Sequence, residues 1–146
     1  MKVLVDTGIW ALALRRKAAD LNTLEESLVQ ELRELIKEDR VQLLGLVRQE
    51  LLSGIKTPAQ YEKLRGMLRA FPDEPLDIAD YEAAATASNS CRARGVAMAI
   101  ADALICAVAL RRKLMVFTTD SDFQSYSSVL ALKLHMPRNH TVREKP

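Results

Sequence analysis

The sequence predicts an α/β fold built on a mostly parallel sheet. Three observations carry this. Short apolar runs rich in β-branched residues, such as Val3-Leu4-Val5 and Leu114-Met115-Val116-Phe117-Thr118, are too short for helices and suit strands buried on both faces. Longer segments between them carry apolar residues at helical spacing. Strands that alternate with helices pair in parallel through right-handed crossovers. With 146 residues, 49% of them hydrophobic and 27% charged, the chain suits one globular domain. That domain is expected over 1–136, followed by a polar C-terminal tail over 137–146.

The first strand ends at Asp6. Gly8 gives the backbone room to turn, and Ile9-Trp10-Ala11-Leu12 continues as a helix to about Arg15. A basic link, Arg15-Arg16-Lys17, leads to a longer helix from about Leu21 to Lys37. Leu21, Leu24, Leu28, Leu32 and Leu35 recur on one face of it, with Glu25, Glu26, Glu31, Arg33 and Glu34 assigned to the other. Val41-Gln42-Leu43-Leu44 reads as the second strand. The helix after it, through Val47-Arg48-Gln49-Glu50-Leu51-Leu52, stops at Gly54. Pro58 opens a further helix to about Ala70. Leu76-Asp77-Ile78 is taken as a short strand, and Tyr81 to Arg94 as a helix closed by Gly95. The apolar run Met98 to Leu110 forms the next helix and holds one charge, Asp102; Arg111-Arg112-Lys113 end it, which suits its dipole. The strand Leu114–Thr118 precedes Thr119-Asp120-Ser121-Asp122-Phe123 and a short helix. Alternation at Leu132-Lys133-Leu134-His135 reads as an edge strand.

Several site types fit poorly. No glycine-rich dinucleotide fingerprint or phosphate loop follows the first strand. Cys91 and Cys106 form no metal or redox motif, and His135 and His140 lack the spacing of a metal pair, so they read as surface or strand-edge residues. Aromatics make up 5%, thin for base reading by stacking. No apolar stretch reaches the roughly 18 residues of a membrane span. The sequence opens directly on a strand with no signal-peptide pattern, so a cytoplasmic protein is expected. The net charge of +2 neither demands nor excludes nucleic acid. Neutralising carboxylates with metal would leave a surface better suited to a polyanion.

The topology turns scattered acids into a geometric expectation. Asp6 and Asp120 each follow a strand, at the C-terminal edge where open α/β sheets bind ligands. Glu50 lies in the helix leaving the second strand. The Asp102 helix runs antiparallel to the strand after it, so its first turn reaches the same edge. Four acids from distant parts of the chain converge there. Close carboxylates repel and raise one another's pKa, and a divalent cation removes that penalty. Mg²⁺ or Mn²⁺, which prefer oxygen ligands, suit such a set. Each acid also has a plainer role. Asp6 and Asp120 fit helix caps, Glu50 a solvated helix position, Asp102 a favourable dipole partner, and Asp122 either an outer acid or a turn residue.

Four segments, Val3-Leu4-Val5-Asp6-Thr7-Gly8-Ile9-Trp10, Arg48-Gln49-Glu50-Leu51-Leu52-Ser53-Gly54, Asp102-Ala103-Leu104-Ile105-Cys106-Ala107-Val108-Ala109 and Phe117-Thr118-Thr119-Asp120-Ser121-Asp122-Phe123, together resemble the PIN-domain ribonucleases. The likeness is greatest to the VapC toxins of VapBC toxin–antitoxin pairs. It covers about residues 2 to 135. It implies a PIN-like three-layer α/β/α fold with a central, mostly parallel sheet of four or five strands. It also implies a metal-dependent endoribonuclease acting as a type II toxin, hydrolysing RNA phosphodiester bonds at a Mg²⁺ or Mn²⁺ site. Asp6, Glu50, Asp102 and Asp120 match the family's catalytic, metal-binding acids, with Asp122 a further ligand. Thr7 and Thr119 match positions whose hydroxyl orients an acid or a water. Similar proteins act on structured RNA such as tRNA or ribosomal RNA, commonly dimerise, and are inhibited by a cognate VapB-like antitoxin docked near the N-terminal helices. That assigns partner binding to Trp10, Leu24, Leu28 and Leu32, and leaves operator DNA to the antitoxin. Arg92 and Arg94 fit RNA phosphate contacts or dipole partners at a helix end. Position 8 is Gly where relatives often have Ser, Asn or Ala, and Ala99-Ile100-Ala101 are apolar where relatives often have a polar residue. Two alternatives stand beside the nuclease: a PIN-scaffold binding module with weak or no catalysis, and a phosphatase using Asp6 as nucleophile.

Overall fold

The computed structural model of the chain describes residues 1–138. The strand β1 (Val3–Val5) is followed by α1 (Thr7–Leu14), a 3-10 turn at Ala18–Asp20, α2 (Thr23–Lys37), β2 (Val41–Gln42), α3 (Gly45–Leu52), α4 (Pro58–Leu68), α5 (Ile78–Ala93), α6 (Ile100–Arg112), β3 (Met115–Phe117) and α7 (Asp122–Val129). The sheet is parallel in the order β2-β1-β3, with Val3 opposite Val41 on one side and Met115 on the other. Val3, Leu4 and Val5 are wholly buried, as a strand covered on both faces requires. The helices form two packed groups, α1 with α2 and α3, and α5 with α6 and α7. Among the described residues no helix is long and apolar enough to cross a membrane.

Among the described residues the sheet counts three strands, fewer than the four or five expected. Leu76-Asp77-Ile78 is not a strand. Asp77 instead accepts the Asp80 amide at 3.1 Å while Asp80 accepts the Asp77 amide at 2.9 Å, a reciprocal cap that starts α5 at Ile78. The segment at Leu132–His135 contributes only a single parallel bridge, Val116 with Leu134, closed by the His135 amide on the Val116 carbonyl at 2.8 Å. A matching lone bridge joins Leu43 to Asp73 at the other edge.

The leucine stripe of α2 packs inward, with Leu28, Leu32 and Leu35 buried. Trp10 is 1% exposed and meets Phe71 edge to face at 5.1 Å. The expectation that Trp10, Leu28 and Leu32 form a docking surface is therefore corrected: the monomer's own core consumes them. Leu24, 68% exposed, is the member of that set left on the surface.

Glu31 also departs from the sequence reading. It is wholly buried, not on the solvent face. Arg138 donates to Glu31 Oε1 at 2.6 Å through Nη2 and to Glu38 Oε2 at 2.8 Å through Nη1. His135, buried beside Phe117, brings its Nε2 within 3.5 Å of Glu31. Residue 138 of the expected polar tail is thus clamped to α2; the tail over 139–146, with His140, lies outside the described residues. Arg111 and Arg112 do more than complement the α6 dipole, because both bind the buried carboxylate of Asp80 and so pin the start of α5 to the end of α6.

Burial alone would raise the Glu31 pKa, but the Arg138 side chain and amide carry it down to about 2 from the ordinary 4.5. A group depressed on folding contributes stability above its unfolded pKa, and that contribution fades as pH falls toward the folded value. Glu31→Gln is expected to lower the unfolding free energy by about 2 kcal/mol at pH 7. Urea denaturation should show the gap from wild type shrinking as pH is lowered from 4.5 to about 2.

Candidate metal centre

Asp6 stands one residue beyond β1, its amide bonded to the Phe117 carbonyl at 2.9 Å, so the β1–β3 pairing fixes its backbone. Its two carboxylate oxygens have different partners. Oδ1 accepts the Thr7 amide at 2.8 Å and caps α1, while Oδ2 accepts the Thr118 hydroxyl at 2.8 Å. The helix cap and the site role are therefore compatible in one side chain. Thr118 in turn accepts the Asp120 amide at 3.0 Å, and Asp120 Oδ1 accepts the Asp122 amide at 2.9 Å, which starts α7. One run of hydrogen bonds thus links the end of β1 to the loop after β3.

Glu50 reaches the same edge from α3. The Thr7 hydroxyl donates to Glu50 Oε2 at 2.7 Å, joining it to the residue beside Asp6. Arg48, two residues earlier, holds α3 in place by donating to Asp73 Oδ1 at 3.0 Å and to the Leu68 carbonyl at 3.1 Å. Asp102 sits in the first turn of α6, and the Tyr126 hydroxyl donates to its Oδ2 at 2.7 Å. One oxygen from each of Asp102, Asp120 and Asp122 lies within 4.8 Å of the others.

The electrostatics follow from this crowding. Burial pushes the Asp6 carboxyl above its ordinary 3.8; the donors Thr118 and Thr7 oppose that, and Glu50 and Asp120 add to it. Asp102 is likewise raised by burial, against the Tyr126 hydrogen bond, with further upward pressure from Asp120, Asp6 and Asp122. Asp6 is pushed up in part by Glu50 and Asp120, and Asp102 in part by Asp120, Asp6 and Asp122, which ties Asp6 electrically to the Asp102–Asp120–Asp122 group. The fit to a metal rests on donor chemistry. The converging donors are carboxylate oxygens, the ligand type of hard divalent cations such as Mg²⁺ and Mn²⁺. The nearby thiol of Cys106, pushed up to about 12 by burial and then by Asp102, stays protonated and offers no competing soft ligand.

Of the two hydroxyls expected to orient an acid or a water, Thr7 donates to Glu50, while no hydrogen bond from Thr119 to an acid occurs among the described residues. Thr119 is exposed, and its Oγ1 lies 2.9 Å from where a Cβ on Gly8 would stand. Gly8 thereby leaves room for Thr119. The second threonine that holds an acid is Thr118, on Asp6. Its hydroxyl is set by the bend after β3, where it also accepts the Asp120 amide. Tyr126 was missed as well; its signal is the four-residue spacing from Asp122, which stacks the two on one face of α7. Arg92, in the last turn of α5, and Arg94, its C-cap, are both exposed.

A family model described as the PIN domain matches residues 3–128. No curated protein matches the sequence. Among solved structures, the chain is similar to FitAcB from Neisseria gonorrhoeae, with 25% identity and a TM-score of 0.73 over 92% of this chain and 97% of that one. It is similar to a chain of a VapBC complex from Rickettsia felis bound to a promoter DNA fragment, at 17% identity and a TM-score of 0.72, covering 92% of this chain and 98% of that one. A member of the VapBC toxin–antitoxin family from Mycobacterium tuberculosis follows at 20% identity and a TM-score of 0.62, again covering 92% and 98%.

Raised carboxyl pKa values mean that the charged cluster opposes folding once pH exceeds the ordinary carboxylate range, and that this penalty vanishes below it. Asp102→Asn keeps an oxygen to accept the Tyr126 hydroxyl and removes one charge whose pKa is raised on folding. In metal-free buffer it is expected to stabilise the chain at pH 7 by a few tenths of a kcal/mol up to about 1 kcal/mol, less in high salt. Thermal melts at pH 7 and pH 3 check this: the gain should be present at the first and absent at the second.

Proposed function

The chain belongs to the PIN-domain family, and from that membership we propose that it is a Mg²⁺- or Mn²⁺-dependent endoribonuclease and the toxin of a type II toxin–antitoxin pair. The observation that carries the reading is the placement of Asp102 from α6 beside Asp120 and Asp122 from the start of α7, within 4.8 Å of one another. Helix caps and solvated positions need no such meeting between distant segments.

In this reading Asp6, Glu50, Asp102 and Asp120 hold the cation, with Asp122 as a further ligand. When bound, Mg²⁺ or Mn²⁺ supplies charge neutralisation and an activated water for in-line displacement at phosphorus. The chain's own residues prepare for that. Thr118 and the Thr7 amide fix both Asp6 oxygens, so Asp6 presents a set orientation. The Thr7 hydroxyl holds Glu50 at the rim. Arg92 and Arg94, at the end of α5, meet the RNA backbone and position it without reading its sequence. The substrate class is structured RNA, tRNA or ribosomal RNA, met in the cytoplasm.

The proposed partner is a VapB-like antitoxin. The solved neighbours, FitAcB and the VapBC complexes, support this by the assemblies their names describe. Self-association to a homodimer completes the proposal. The competing reading, a binding module with little catalysis, drew on an exposed Trp10 and leucine stripe. Burial of Trp10, Leu28 and Leu32 removes that motive.

Purified protein is expected to cleave total RNA with Mn²⁺ or Mg²⁺ and to stop when chelator is added. Asp6→Asn and Asp102→Asn should each lose at least about 100-fold in rate, beyond the usual loss from removing a partner of a metal ligand. Circular dichroism should show both variants folded. Cleavage by Asp102→Asn at the wild-type rate would defeat the assignment.

A further inference from the structure

We propose that Tyr126 is a positioning residue for the carboxylate cluster: its phenol sets the Asp102 carboxylate and the spacing of α6 from α7, so that the acids meet a cation already arranged. The proposal rests on the metal-nuclease reading above and extends it to a residue outside the acid set.

Asp102 needs such support. It is half-buried at the start of α6, where Ala99 offers no side-chain cap, and its sequence neighbours are Ala101 and Ala103. Like charges on Asp120 and Asp122 push against it. Left alone, a carboxylate so placed would rotate toward solvent and away from its neighbours. Among the described residues, the donor that holds its side chain is the Tyr126 hydroxyl, at 2.7 Å on Oδ2. That contact engages one of the two carboxylate oxygens of Asp102.

Tyr126 is itself rigid. It is 2% exposed and packs edge to face on Phe123, at 5.1 Å between ring centroids; Phe123 is wholly buried. A phenylalanine would fill the same core without burying a hydroxyl, which is costly unless partnered. The hydroxyl therefore has a use beyond packing. The helix register gives it one. Asp122 and Tyr126 are four residues apart on α7, so one helix face carries both a member of the acid cluster and the donor that fixes another member. Moving α7 relative to α6 would break the hydrogen bond and spread the acids together.

The test is Mn²⁺ binding to the full chain by isothermal titration calorimetry. Tyr126→Phe keeps the ring and removes the donor. Its Mn²⁺ dissociation constant is expected to rise about 10- to 100-fold, the range seen when a metal ligand loses its supporting hydrogen bond. Phe123→Leu is the packing control: it loosens the ring pair but keeps the hydroxyl, and should lower the melting temperature while changing the dissociation constant less than about 3-fold. If Tyr126→Phe binds Mn²⁺ as tightly as wild type, the proposal falls while the metal site stands. If Phe123→Leu weakens binding as much as Tyr126→Phe, Tyr126 acts through packing and the proposal falls in the same way. If the wild-type chain binds no Mn²⁺, the metal-nuclease reading fails and takes this inference with it.

Discussion

The structure depends on holding carboxylates together against their own repulsion. Asp6, Glu50, Asp102, Asp120 and Asp122 come from four separate segments, and the pKa values of Asp6 and Asp102 are raised first by burial and then by their acidic neighbours. Folding by burial alone would scatter these charges into water. They are restrained by short, directional contacts from neutral donors: Thr118 on Asp6, Thr7 on Glu50, Tyr126 on Asp102 and backbone amides at the helix starts. The donors are neutral, so they orient the acids without cancelling their charge. A salt bridge would have quenched the site. The cationic side chains that do bind buried acids, Arg111 and Arg112 on Asp80 and Arg138 on Glu31, are engaged with those other carboxylates.

The rest of the fold reads as the support for that edge. A wholly buried β1 flanked by β2 and β3 fixes where Asp6 and the loop after β3 emerge. Arg48 locks α3 to the segment after α4 and so sets the reach of Glu50. The reciprocal cap of α5 and the Asp80 ion pairs fasten α5 to α6, whose first turn delivers Asp102.

Much of this was legible in the sequence because it depends on chain order. Period and length separate the strand at Val3–Val5 from the helix at Ile100–Arg112, and parallel topology then forces residues after strands, and the first turn of the preceding helix, to one edge. That logic locates the acids without knowing any side-chain contact. What stayed hidden depends on three-dimensional neighbours. Trp10 looked free because nothing in the sequence announces its packing on Phe71, some sixty positions on. Glu31 looked solvated because its partner Arg138 comes from the far end of the chain. Leu76-Asp77-Ile78 carried β-branched character, yet the Asp77–Asp80 cap satisfies amides that a strand would have left to a neighbour, and the helix wins. The two donors, Thr118 and Tyr126, needed the relative placement of β1, β3, α6 and α7 before their hydroxyls had a target.

The central claim is that these acids are assembled to bind one or more divalent cations. The most direct measurement is a crystal structure of the chain grown with Mn²⁺, with an anomalous difference map recorded to locate the metal. A peak in coordination contact with Asp102 and with Asp120 or Asp122, on the side of Asp102 away from Tyr126, is the expected result. A well-ordered structure with these side chains in place and no peak among them, at Mn²⁺ concentrations that support RNA cleavage, would contradict it.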